Sequence, residues 1–139
     1  MELLVDGKHS LVVETSSGEV LAFDGRGVGD LYRLYMSVRR ELMGARVADK
    51  VIGAGAAALM IEGGVSVYHA GVISRKALEL FDRYGIVGTY DVLAEQIINR
   101  AGTGRCPLEK IVAHLGETVS MLPLIHKFVS ENSTSKIQD

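Results

Sequence analysis

Cysteine is almost missing from this 139-residue chain, with Cys106 its only one. An internal disulfide is therefore impossible, and zinc sites built from several cysteines are excluded. Excess charge of one sign is missing as well. Fifteen Lys and Arg against 17 Asp and Glu leave a net charge of -2. No overall field would draw in nucleic acid or an anionic membrane. The longest apolar stretch, around Val51 to Ile61, is interrupted by glycines and too short to span a bilayer. No basic stretch followed by a long apolar run opens the chain, so no signal peptide is expected and the default location is cytoplasmic. No internal repeat and no linker divides it. What is present is 47% hydrophobic and 23% charged residues, the balance of a globular chain with a core of its own. One domain is expected over residues 1–129, followed by a polar, frayed tail over 130–139.

The pattern along the chain alternates in type. "HSLVVET" and "EVLAFDG" are short apolar strands split by Ser16, Ser17 and Gly18, a hairpin signal. In "GVGDLYRLYMSVRREL", Leu31, Leu34, Tyr35 and Val38 fall at helical spacing, with Asp30 near the start. "RVADKVIGAGAAALMIEGG" reads as a second helix, N-capped by Asp49 and stopped by Gly63-Gly64. That helix is apolar almost all round, so it should be buried. Gly53 and Gly55 thin one face of it for close packing on a sheet. "VSVYHAGVI" is a strand, "SRKALELFDRY" a helix closed by Gly85, and "IVGTYDVL" a strand that leads into a short helix, "VLAEQIINR". Beyond a glycine-rich loop come "PLEKIVAHL" and "ETVSMLPLIHKFV", the latter kinked at Pro123. A hairpin followed by alternating helices and strands implies an α/β domain: a mixed sheet with helices on both faces, three layers in all.

This order resembles the cytidine deaminase-like fold. Zinc deaminases carry H-x-E or C-x-E at the start of one helix and P-C-x-x-C at the start of the next. In that comparison the first helix opens with Val47-Ala48-Asp49, and Val47 stands where the first zinc ligand would be. The second opens with Ile73 to Glu79, and Lys76 and Glu79 stand where the two cysteines would be. Catalytic zinc needs three protein ligands and a water, so neither zinc nor zinc-activated deamination is expected. More specifically, the sequence resembles the DUF1893 family of uncharacterised proteins. The resemblance lies in "ADKVIGAGAAALMIEGG", "YDVLAEQIINRAGTGRCPLEK" and, more weakly, "GRGVGDL". It implies a zinc-free variant of the deaminase-like fold and no particular activity.

Two regions carry candidate chemistry. In "NRAGTGRCPLEK", Pro107 and Glu109 have the grammar of a helix start. Backbone N–H groups at such an end favour anions. Gly102 and Gly104 allow close backbone approach. Arg100 and Arg105 supply charge-assisted bonds to phosphate. Asn99, Arg100, Gly102, Thr103, Gly104 and Arg105 thus form a candidate anion cradle, against the plainer reading of a solvent loop before a well-capped helix. Cys106 would be activated at that helix end, or simply be a small buried hydrophobe. Asp49 occupies the position of the deaminases' catalytic glutamate and is the second candidate, as a base or a ligand-holding group. Its plain alternative is an N-cap. Lys50 beside it could contact phosphate or face water.

Lys76 and Glu79 read as an exposed helical pair, and Tyr32 and Tyr35 as core or interface residues. "GRGVGD" is a turn and cap before it is a pocket wall. "RLYMSVRREL" is a small basic patch rather than the aromatic-studded basic face that nucleic acid needs.

The expected function is binding of a nucleotide-like ligand between Asp49 and the 99–106 loop, without metal. The alternative is a small metal-independent enzyme using Asp49 or Cys106. A homo-oligomer is left open.

Overall fold

The computed structural model describes residues 9–24, 28–95, 108, 112, 115 and 117–138, the last eight of these by backbone alone. The hairpin forms as expected. β1 (Leu11–Glu14) pairs antiparallel with β2 (Val20–Phe23), and the turn closes through Gly18. Helix α1 (Gly29–Ser37) buries Leu31, Tyr32, Leu34 and Tyr35. The two tyrosines are thus core residues. The helix stops one turn early: Val38 leaves helical geometry and a 3-10 turn over Arg39–Glu41 follows.

The largest departure comes next. Arg46–Ile52 is a strand, β3, and not the first half of a helix. It lies between β1, to which it is antiparallel, and β4 (Val67–Ser74), to which it is parallel. Helix α2 is the remainder, Ala54–Gly63, with Gly53 at its N-cap. Asp49 is therefore no helix cap. Val47 is not at a helix start either; it is fully buried within β3. Helix α3 (Arg75–Arg83) and strand β5 (Val87–Ala94) complete the described sheet in the order β2-β1-β3-β4-β5. Val92 to Ala94, expected to open a helix, still belong to β5; residues 96–100 lie outside the described residues. Helix α4 (Thr118–Gln138) contains Pro123 and runs on through the segment expected to be a frayed tail.

Helix α2 is the hub of the core. Its alanines and Met60 are buried almost all round, and α1, α3 and α4 all pack against it. Gly55 permits one close approach, though not to the sheet: a Cβ there would lie 2.6 Å from Leu108 Cδ2. The expected stop at Gly64 is a left-handed C-cap, φ +83°, a conformation that costs a Cβ-bearing residue about 1 kcal/mol or more. Tyr68 of β4 stacks on Phe81 of α3 with ring centroids 3.9 Å apart. Leu11 and Val13 face this core, and Val12 between them is buried on the opposite face. Ala48 of β3 is likewise buried outside the main core cluster. Both faces of the sheet centre are therefore shielded from water. A mixed five-stranded sheet with four described helices is an α/β fold, consistent with three layers.

Candidate functional site

β3, β4 and β5 run parallel, so their carboxyl ends share one edge of the sheet. Helix α2 starts two residues after β3, and α3 starts directly after β4. Glu95 stands just beyond β5 at the same edge. Crevices outside strand carboxyl ends are where open α/β sheets hold ligands.

Asp49 lies three residues before the end of β3, level with Leu11 of β1 and Ala70 of β4. Its residue surface is only half-buried, yet the surrounding protein strips water from its carboxyl. Burial pushes that carboxyl up to about 7, against bonds from the backbone at Val51 and Lys50 that favour its charged form. One of these is explicit: Val51 N donates to Asp49 Oδ1 at 3.3 Å. The carboxyl thus leans forward along the strand toward the carboxyl edge.

A break in the strand accompanies this lean. Strict alternation would put Val47 and Ile52, five residues apart, on opposite faces. Both belong to the main core, as do Ala70 and Ile73 in β4. The alternation therefore slips by one residue at the level of Lys50 and Gly71. There the two backbones are so close that a Cβ on Gly71 would sit 2.6 Å from the Lys50 carbonyl oxygen. Beyond the slip Val51 and Val92 turn outward, 45% and 54% exposed. Lys50 is exposed, and its backbone N–H donates to the Ser10 carbonyl at 3.0 Å, tying β3 to β1.

Ser74, 2% exposed, caps α3 by accepting the Ala77 N–H at 3.1 Å. Arg75 reaches from the first turn of α3 to the Glu95 carboxylate, with Nη2–Oε1 at 2.7 Å and Nε at 2.9 and 3.0 Å from the two oxygens. That contact raises the guanidinium and lowers the carboxylate from their ordinary values. Neither residue was singled out from the sequence. Their 20-residue separation hides a pair made only by the β4–β5 register.

The other expected residues divide in two. Glu79 is exposed on α3 and Lys76 is half-buried, with no ion pair between them among those described. The N-cap of α1 is Val28, with no side-chain cap bond, and Asp30 pairs with Arg33 one turn on. Asn99, Arg100, Gly102, Thr103, Gly104, Arg105 and Cys106 lie outside the described residues, as do Gly25 to Gly27. His69 bonds across β4–β5 to Thr89 and His126 contacts Tyr32; His114 is outside the described residues. Among the described residues no three His, Cys, Asp or Glu side chains converge on a possible metal site. No helix among them is long and apolar enough to cross a membrane.

Comparison with known proteins yields one family. The profile of a domain of unknown function, DUF1893, matches residues 1–129. A crystal structure of a DUF1893 family protein, TM1506 from Thermotoga maritima, superposes with a TM-score of 0.82 at 25% identity, over 91% of this chain and 84% of that one. No curated protein matches the chain.

Proposed function

The chain belongs to the DUF1893 family, and on that footing we propose that the carboxyl edge of its sheet binds a small nucleotide-like, phosphorylated ligand. The observation that carries this reading is Asp49. It is a carboxyl drawn up to about 7, leaning toward the edge where two helices begin, and free of any duty as a helix cap. A group titrating near neutral pH can donate or accept a hydrogen bond to a ribose hydroxyl or a base nitrogen. Lys50 and the helix entries at Gly53 and Ser74 give the same edge a cationic character suited to an anion. The chain leaves β5 at this edge, five residues before Asn99. That brevity supports assigning the phosphate to Arg100, Gly102, Thr103, Gly104 and Arg105.

The same carboxyl supports a second reading, a metal-independent enzyme with Asp49 as general base, because catalytic acids and bases work best near the ambient pH. Calorimetry with adenosine and its monophosphate separates the parts. Arg100→Ala and Arg105→Ala should weaken the nucleotide by the worth of a charge-assisted bond, about 1.5 to 3 kcal/mol, and leave the nucleoside unchanged. Asp49→Asn should weaken both. Equal losses for the two ligands on removing the arginines would end the phosphate assignment.

A further inference from the structure

Away from the carboxyl edge, on the opposite face of β4 from Tyr68 and Ala70, three side chains form a connected set. His69 lies beside Thr89 in the β4–β5 register, and Asp91 follows two residues on. His69 Nδ1 is 2.7 Å from Thr89 Oγ1. His69 Nε2 is 3.7 Å from Asp91 Oδ2, within ion-pair range of an imidazolium. The His69 side chain is 29% exposed and that of Asp91 71%, and Thr89 is exposed, so a small molecule can reach the hydroxyl. A hydroxyl, a base within hydrogen-bond distance and a carboxylate on the far ring nitrogen are the parts of an activated nucleophile. At 3.7 Å Asp91 makes no hydrogen bond to Nε2, but its negative charge favours a proton there, and in that tautomer Nδ1 accepts from Thr89.

We propose that Thr89 is an acyl-acceptor nucleophile with His69 as its general base and Asp91 as a positioning residue, acting on small activated esters or thioesters. Thr89 Oγ forms a bond to the acyl carbon while its proton passes to His69 Nδ1. The tetrahedral adduct expels the alcohol or thiol oxygen or sulfur, which takes that proton back from the imidazolium. The products are a Thr89 ester and a free alcohol or thiol, with no oxidant or metal consumed. Water, deprotonated by the same imidazole, can hydrolyse the ester. A good leaving group lowers the barrier to this transfer, which sets the substrate class.

The test incubates the whole chain with p-nitrophenyl acetate and follows nitrophenolate release and the site of the acetyl group by peptide mapping. The expected result is acetyl on Thr89, lost in Thr89→Val and kept in Thr89→Ser. Thr89→Val preserves shape and strand preference, so folding is maintained. His69→Gln should slow acylation by about 100-fold, and added imidazole should restore part of the rate to His69→Ala. Nitrogen NMR of the ring should show the Nε2–H tautomer in the wild type and a weaker bias in Asp91→Asn. Acetyl found on lysines with Thr89 unmodified, or a His69→Gln rate equal to wild type, would overturn the proposal. An unchanged tautomer in Asp91→Asn would remove Asp91 from it.

Discussion

Replacing Asp49 by Asn tests the central electrostatic feature of the carboxyl edge. In the folded chain burial holds the Asp49 carboxyl protonated up to about 7, against 3.8 when unperturbed. Between those values the folded state binds a proton that the unfolded state has released. Stability must then fall as pH rises from about 4 to about 7, and level off above. Each tenfold difference in proton affinity between the two states is worth about 1.4 kcal/mol, so the full difference has a ceiling of about 4 kcal/mol. Asp49 still touches solvent, and screening brings the expected loss to about 2 to 3 kcal/mol. Asn keeps the oxygen that accepts the Val51 N–H and carries no charge. Asp49→Asn should therefore be more stable than the wild type at pH 8 by that amount, and close to it at pH 4.5. Urea unfolding at pH 4.5, 6 and 8 reads the difference directly. A variant less stable than the wild type at pH 8, or a wild type and variant with the same slope, would show that the carboxyl is ionised and well solvated.

Two further predictions concern packing and reactivity. Gly88→Ala should destabilise by about 1 to 3 kcal/mol in thermal or urea unfolding, because its Cβ would fall 2.4 to 2.5 Å from Tyr68 ring atoms already stacked on Phe81. An unchanged midpoint would mean that the ring moves aside freely. Cys106, placed by sequence before a proline-led helix start and beside arginines, should alkylate with iodoacetamide faster than a free thiol at neutral pH; a rate equal to that of free cysteine or slower would make it a structural residue.

Much of the fold is written locally. The Ser-Ser-Gly turn, the stops at Gly64 and Gly85, the apolar spacing of α1 and the apolar run of β4 each depend on a few neighbouring residues. Sequence alone determined those, and with them the α/β class. β3 could not be settled that way. In "RVADKVIGAGAAALMI" a strand shielded on both faces and a helix buried all round have the same apolar signature, so the two fuse into one helix on reading. Val47, Val51 and Ile52 are β-branched and Gly53 breaks the run, and these were the signals available. What makes Arg46–Ile52 a strand is pairing with β1, some 35 residues earlier, and with β4.

The fate of Asp49 follows from the same fact. Its residue type and position suggested a site, but as a helix cap its carboxyl would have been held ionised by helix N–H groups. Only the sheet, by setting it between Leu11 and Ala70 and leaning it toward Val51, strips away its water and draws it up toward neutral pH. The same holds for Arg75 with Glu95 and His69 with Thr89. Each pair is 20 residues apart and joined by a parallel register, because lateral pairing of strands is a long-range choice that no local pattern encodes.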